Sequence, residues 1–215
     1  MRLKSLIILF IFIVFTPNKY SKATNTAEVS DSKWELITEE NGIQVMERWV
    51  TNEKNLKVKE RTGRMTLNCS VDEVVKLISD VNRTHLWMNN VDRVKVLKAV
   101  NNNEWYVHTI LDAPWPFNKQ DMVSKYSVVK NSKKNLVTIL IEQDNTLLAP
   151  QKDIDRLDTF SAEWVIEQVK ENKVRVTFTT KSTQPPKYPT WAQDPVVRKV
   201  FFTNLKNFKG LINHA

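Results

Sequence analysis

Histidine and carboxylate side chains are the first candidates for chemistry in this sequence, because they can accept and donate protons near neutral pH. The chain of 215 residues has three histidines, at His85, His108 and His214, and no two have the spacing of metal ligands on one helix. Asp112 and Asp121 flank a proline-containing corner. Two carboxylates that are held together and shielded from water can act as acid and base, but we expect each of these to end a strand by accepting backbone amides.

Nucleophile and phosphate-binding motifs are missing from the sequence. There is no Gly-x-Ser-x-Gly elbow, and three glycines in the whole chain are too few for a glycine-rich phosphate loop. Cys69 is the single cysteine, which excludes an internal disulfide and a thiolate metal cluster. We expect Cys69 to be a small buried hydrophobic residue, and we expect no metal and no cofactor.

Residues 1–23 have the pattern of a secretory signal peptide. Arg2 and Lys4 precede the apolar run Leu6–Phe15, and small residues lead to Ala23, after which we expect cleavage. A membrane anchor is the weaker interpretation, since a span needs about 20 apolar residues. The pattern predicts an exported protein, periplasmic or secreted, with a flexible lead-in at residues 24–33 and one domain at residues 34–213.

The charge of the chain does not indicate a nucleic-acid-binding protein. The net charge of +8 includes four basic residues of the predicted signal peptide, and without them 28 basic residues remain against 24 acidic ones, a net of +4. Lys57, Lys59 and Arg61 recur at every second position, which indicates one solvated face of a strand. Transient contact with an anionic membrane surface is the alternative for these cations.

Two prolines bracket Trp115 and form a corner between two strand-like runs. Pro114 and Pro116 cannot donate hydrogen bonds to a β-ladder, so they end the run Asn103–Asp112. Turn-forming residues follow, and a new alternating run begins at Met122. We interpret the segment as a rigid corner pinned by a buried Trp115.

Helix signals occur at two places in the chain. Ser70 and Glu73 form a Ser-x-x-Glu capping box, which predicts a helix over Val71–Asp80, and a second short helix is expected at Asn82–Asn90. Asp194-Pro195 resembles an N-cap followed by proline at the first helical position, so a long final helix is predicted to begin there. Its apolar residues form one stripe: Val197, Phe201, Leu205, Phe208 and Ile212.

Most of the remaining chain reads as antiparallel strands joined by asparagine-containing turns. In the early run Leu56–Asn68 the apolar residues change from even to odd positions, so we expect a bulge or bend at Gly63. The predicted fold class is α+β: a curved antiparallel sheet wrapped around a long C-terminal helix, with two short helices after the second strand.

These features together resemble the START (steroidogenic acute regulatory protein-related lipid transfer) domain of the helix-grip superfamily, over about residues 34–212. The family usually has arginine directly before the aspartate of the corner, where this chain has Gln120, and this departure puts the usual ion pair at the corner in doubt. The residues that carry the resemblance are Pro114-Trp115-Pro116 with Asp121, then Arg156, Trp164, Pro189-Thr190-Trp191, Trp34 and Ile43–Arg48.

The resemblance implies an apolar cavity between the concave face of the sheet and the terminal helix. The register carried over from the corner turns six residues inward: Val107, Thr109, Leu111, Met122, Ser124 and Tyr126. A slip by one residue would instead turn Tyr106, His108 and Ile110 inward. Tyr126 is the candidate polar anchor for a ligand oxygen. The other expected lining residues are Trp87, Trp164, Phe178, Val197, Phe201 and Leu205.

A gate for this cavity is suggested by apolar residues in a long connection. Leu147, Leu148 and Pro150 lie in the stretch 144–158, where a polar loop would be expected. A loop that opens to admit an apolar ligand would carry such residues. The same residues would suit an ordinary loop packed against the sheet.

The function expected from these features is binding, or binding and transport, of a hydrophobic small molecule such as a lipid, fatty acid or sterol-like compound, without chemical change. We expect a monomer that makes at most transient membrane contact and binds no nucleic acid. One alternative is an enzyme of the cyclase or dehydratase type that uses His108 or Asp112. Another is a protein-interaction module without a cavity.

Overall fold

The computed structural model describes residues 32–115, 117–157, 160–182 and 184–213. The predicted signal peptide (residues 1–23), most of the lead-in and Pro116 lie outside the described residues. The described elements are β1 (Glu35–Glu40), β2 (Ile43–Thr51), β3 (Lys57–Leu67), α1 (Val71–Ser79), α2 (Thr84–Trp87), β4 (Val91–Asn101), β5 (Glu104–Leu111), β6 (Gln120–Asn131), β7 (Leu136–Gln143), β8 (Asp155–Arg156), β9 (Phe160–Lys170), β10 (Lys173–Ser182) and α3 (Thr190–Asn213).

The strands form one sheet in the order β1-β2-β3-β10-β9-β7-β6-β5-β4, and each pair of neighbours is antiparallel. The short strand β8 pairs in parallel with the start of β6. Strands β1 to β3 therefore join the rest of the sheet through β10, the last strand in sequence. The α+β architecture expected from the sequence, with a long C-terminal helix against an antiparallel sheet, is confirmed.

The concave face of the sheet carries the core. One row of cross-strand partners runs across it under α3, and its members are Val45, Gly63, Phe178, Trp164, Ile139 and Val128. The Trp164 ring stacks on that of Phe178 at 4.1 Å and packs against that of Phe208, from α3, at 4.8 Å. Burying each such large side chain contributes about 1.5–3 kcal/mol.

Helix α3 begins one turn earlier than the sequence indicates. It starts at Thr190, where the backbone N–H groups of Ala192 and Gln193 donate to the Pro189 carbonyl, and Pro195 lies inside it. Asp194 does not cap the helix, because its carboxylate is instead bound to basic side chains of β3. The predicted stripe does face the sheet, with Phe201, Leu205, Phe208 and Ile212 buried. None of the described helices is long and apolar enough to span a membrane.

The two short helices occur where the sequence predicts them. Ser70 and Glu73 form the capping box at the start of α1, and Cys69 beside it is buried, as expected. The second helix is shorter than expected: a turn of 3₁₀-helix at Val81–Arg83 leads into α2. Both follow the third strand rather than the second, because the lead-in residues Glu35–Glu40 pair with β2 and form a strand of their own.

The apolar residues of β3 change from even to odd positions for a reason other than the expected bulge. The pairing of β3 with β2 and β10 runs through Gly63 without a shift. Lys59 and Arg61 share the inward parity of Met65 and Leu67, and both are about 90% buried, at 8% and 9% exposed. The prediction of a solvated face is therefore wrong for Lys59 and Arg61, because the chain supplies carboxylates that pair with them inside.

Candidate ligand-binding site

A cavity of about 340 Å³ lies between the concave face of the sheet and the first half of α3. Apolar side chains from the sheet, from α3 and from the corner after β5 form most of its wall. Lining residues from these three sources include Leu111, Phe160, Phe178, Val196, Val197, Val200, Phe201, Pro114 and Phe117. Such a site buries an apolar ligand and leaves few positions at which polar groups can orient it.

Four of the lining residues expected from the sequence reach this cavity: Leu111, Phe178, Val197 and Phe201. Other expected residues lie on the same concave face beyond its described wall, since Thr109 pairs with Met122 and Val107 with Ser124 in the β5–β6 ladder. The rest, Trp87, Trp164 and Leu205, are buried in the hydrophobic core. That any of them binds a ligand stays a prediction.

Tyr126, the predicted polar anchor, packs into the concave face beside Trp105. The two rings stack at 5.2 Å. Burial raises the pKa of the Tyr126 hydroxyl to about 12, so the phenol is protonated and uncharged at neutral pH. Its pairing partner in β7 is Ile141, a core residue, so the ring is part of the packing whether or not a ligand uses the hydroxyl.

Polar residues of the cavity wall were missed by the sequence reasoning. Gln120, Thr180, Asn204 and the turn residues Asn89 and Asn90 all line it. Asn204 lies on α3, four residues before Phe208, and nothing in the spacing of the helix marks it as a wall residue. Gln120 is the position that departs from the START pattern, and this departure was the available signal.

Asp121 lies at the centre of a buried polar cluster on the convex face. Its carboxylate accepts hydrogen bonds from Arg156, at 2.7 and 2.9 Å, and lies 2.8 Å from Nε2 of His108. Burial favours a raised pKa for Asp121, but the hydrogen bonds from Arg156 and His108 outweigh it and hold this pKa below its usual value. Asp121 therefore forms an ion pair although position 120 is not arginine, and Arg156 from β8 is its partner.

The residues suggested for catalysis do not meet at the cavity. His108 is buried on the convex face against Asp121, so the register that would turn Tyr106, His108 and Ile110 inward is not the one observed. The side chain of Asp112 is 65% exposed and its carboxylate pairs with Lys119 at 3.3 Å. Among the described residues, no group of three or more His, Cys, Asp or Glu side chains is arranged to hold a metal ion.

The apolar residues expected to form a gate lie away from the cavity, although Leu157, near the end of the same stretch, lines it. Arg156 donates to the backbone carbonyls of Leu148 and Ala149, at 2.9 and 3.2 Å, while it holds Asp121. Leu147, Leu148 and Pro150 are not part of the cavity wall as described. The structure thus brings these residues to the convex side, where Arg156 ties the loop to the sheet.

The corner after β5 differs from the expected one at its tryptophan. Trp115 is 78% exposed instead of buried. The neighbouring Phe117 fastens the corner, since its ring packs edge-on against Tyr188 at 5.5 Å, in the segment that leads to α3. Trp191, in the first turn of α3, is 79% exposed. The exposed rings of Trp115 and Trp191 thus lie within three residues of Phe117 and Tyr188 in the chain.

A buried ionic cluster lies beside the cavity, under the first turns of α3. Glu47 accepts from Arg61 at 2.6 Å and from Arg198 at 2.7 Å, and Lys59 binds both Glu47 and Asp194. Burial favours a raised pKa for Glu47, but the basic groups around it lower this pKa to about 2. The cluster fixes the start of α3 on strands β2 and β3.

A second depression, of about 590 Å³, is larger but unlike a lipid site. It lies between β1, β2, β3 and β10, and most of its wall is polar, with Gln44, Arg64, Arg175 and Thr177 among the lining residues. Arg64 and Thr177 are direct cross-strand partners on the face opposite Met65. Because hydrophobic ligands need apolar walls, we assign the candidate site to the smaller cavity.

The family of the chain follows from a sequence match. A family model described as polyketide cyclase/dehydrase and lipid transport matches residues 67–209, more than half of the chain. The chain belongs to this family. The START resemblance noted from the sequence agrees with membership of the polyketide cyclase/dehydrase and lipid transport family, and no curated protein sequence matches the chain.

Solved structures of other proteins have the same fold as this chain. A STAR-related lipid transfer protein from Xanthomonas axonopodis is 26% identical, with a TM-score of 0.73 over 84% of this chain and 98% of that one. Human StAR-related lipid transfer protein 5 is 12% identical, with a TM-score of 0.71 over 87% and 90%. The Zhui aromatase/cyclase from Streptomyces is 11% identical, with a TM-score of 0.53 over 73% and 94%.

Proposed function

We propose that the protein binds one hydrophobic small molecule, most simply a lipid, in the cavity under α3 and releases it chemically unchanged. The observation that carries the proposal is the apolar wall of this cavity, about 340 Å³ in volume. Ligand sites in proteins begin at about 300 Å³, so the space suits one compact molecule. Transfer of the ligand from water supplies roughly 25 cal/mol per Å² of apolar surface buried.

Binding without catalysis is the form of the proposal that the wall residues support. Proton transfer needs an acid or base within hydrogen-bond reach of the ligand. The described wall contains neither a histidine nor a carboxylate, and His108 lies behind the sheet with its ring bound to Asp121. The relation to an aromatase/cyclase is one of fold and brings no catalytic residue to this cavity.

Native mass spectrometry of the purified protein, followed by uptake of fluorescent fatty acid and sterol probes, tests the proposal. We expect a co-purified lipid or saturable uptake with one site per chain. Val197→Trp, which places a larger side chain in the cavity, should weaken probe binding about tenfold or more. Val169→Trp is the matched control, because Val169 is an exposed strand residue away from the cavity. No ligand and no uptake, or equal uptake by both variants, would contradict the proposal.

Transient contact with a membrane surface is a second part of the proposed function. Pro114 and Phe117 line the cavity, and the indole of Trp115 between them is exposed to solvent. Trp191 on α3 adds a second exposed ring at the same end. Indole rings favour the interface between water and lipid headgroups, so these two residues would bring the cavity to a source of ligand.

A further inference from the structure

The polar part of the cavity wall consists of uncharged groups. Every polar residue described in the wall is an amide or a hydroxyl: Asn89, Asn90, Gln120, Thr180, Ser182 and Asn204. None of the described wall residues is charged. A charged head group placed against this wall would lose part of its hydration without gaining an opposite charge, which is unfavourable in an apolar site.

The amide of Asn204 is fixed with one end open to a ligand. Its Oδ1 accepts a hydrogen bond from the backbone N–H of Asn89 at 2.8 Å, which identifies the carbonyl end of the amide. Asn207 donates to Oδ1 of Asn89 at 3.0 Å and holds the same turn. The NH₂ group of Asn204 makes no hydrogen bond with the described residues, so it is free to donate to a ligand oxygen.

Gln120 offers a second free amide on the opposite side of the cavity. It is the first residue of β6, directly across from Leu111, another wall residue. Its backbone is held by β5 and β8, while its side chain makes no hydrogen bond with any residue that the structure describes. An amide can donate and accept, so Gln120 suits a hydroxyl or a carbonyl.

The buried charged groups across the sheet from Thr180 are bound to one another. Arg61 is the cross-strand neighbour of the wall residue Thr180, but its guanidinium donates to Glu47 at 2.6 Å and to Asp194 at 3.2 Å. Lys59 binds the same two carboxylates. An anionic head group would have to displace these buried partners, so the cluster does not serve as an anion site.

We propose that the ligand is an uncharged amphiphile, whose hydroxyl or carbonyl oxygen is held by the amides of Asn204 and Gln120. Gln120 is thereby a specificity-determining residue, because its amide can bond an uncharged oxygen but gives an ionised head group no opposite charge. This inference rests on the proposed function, since it names the class of ligand for the same cavity.

Ligands with one hydrocarbon chain and different head groups test the inference. Oleyl alcohol and oleamide are compared with oleate, ionised at about pH 8, and with protonated oleylamine, each as a competitor of a neutral fluorescent probe. We expect both uncharged compounds to displace the probe, and both ions to do so at least about 100-fold less well. Oleate or oleylamine competing as well as oleyl alcohol would overturn the inference.

Substitutions at Gln120 separate this inference from the proposed function. Gln120→Met keeps the size and removes the hydrogen bonds, so oleyl alcohol should bind about five- to tenfold more weakly. Gln120→Lys should improve oleate relative to oleyl alcohol, because it adds a cation to the wall. Thermal unfolding of both variants checks that they are folded.

The outcomes of these experiments are distinguishable. If no compound in the set binds the unaltered protein, the proposed function itself fails. If the compounds bind but the head-group preference does not depend on Gln120, the assignment of this residue is wrong while the binding function stands.

Discussion

Replacing Gly63 with alanine tests how closely α3 packs on the sheet. A Cβ atom at this position would lie 2.2 Å from Cδ1 of Leu205 and 3.2 Å from Cε1 of Phe201. Ordinary contacts begin at 3.4 Å, so the Leu205 methyl has to withdraw from 2.2 Å to at least that distance. Gly63 does not have a positive φ, so the penalty is one of packing rather than of backbone strain.

The expected cost of Gly63→Ala is about 1–3 kcal/mol in the free energy of unfolding. Leu205 is almost fully buried, so its side chain has no free space to move into, and Phe201 stacks on Phe178 at 5.6 Å. Because Phe201 also lines the cavity, a shift of its ring should change ligand affinity together with stability.

Urea unfolding followed by tryptophan fluorescence measures this cost. Gly210→Ala is the matched control: nothing lies within 4 Å of its added Cβ, and it is inside α3, so it should stabilise the protein by about 0.5–1 kcal/mol. In a Leu205→Ala background the cost of Gly63→Ala should largely disappear. Equal effects at Gly63 and Gly210, or a neutral Gly63→Ala, would refute the packing argument.

Four further predictions concern the charge of Glu47, the loop and the exposed tryptophans. Glu47→Gln leaves buried cations without their partner and should cost about 3–5 kcal/mol in urea unfolding. The folded-state pKa of Glu47 is about 2, against an ordinary value of 4.5. Its carboxylate should therefore contribute about 3 kcal/mol to the free energy of unfolding above pH 4.5, and this contribution should be lost as the pH falls towards 2. Urea unfolding measured at a series of acid pH values would show the loss. Arg156→Met should speed amide hydrogen exchange across residues 144–157, and unchanged exchange would contradict the fastening role. Trp115→Ala with Trp191→Ala should reduce sedimentation with lipid vesicles while probe uptake in detergent-free buffer is kept; undiminished sedimentation would count against membrane contact.

Local signals in the sequence predicted local structure well. The capping box at Ser70 and Glu73 needs only neighbouring atoms, and it forms as expected. The apolar stripe on α3 likewise follows from helical spacing, and four of its residues are buried. The fold class and the helix that covers the sheet could therefore be predicted from the sequence.

Features that depend on distant partners could not be predicted in this way. Lys59 looks like a surface lysine until Asp194, 135 residues further along the chain, is brought beside it. The Asp194 carboxylate was expected to cap the helix, because the sequence pair Asp194-Pro195 does not show which distant groups the side chain binds. Trp115 was expected inside because large aromatic residues usually are, and only the packing of Phe117 on Tyr188 shows which ring pins the corner.

The late position of α3 in the chain has a consequence for how the protein is made. The concave residues of β2 and β3, such as Ile43 and Met65, belong to the same core as Phe208 and Ile212 of α3. During synthesis these strands leave the ribosome long before residues 190–213 exist to cover them. A nascent chain therefore presents an open apolar surface, and it should be a substrate for chaperones until its last helix is complete.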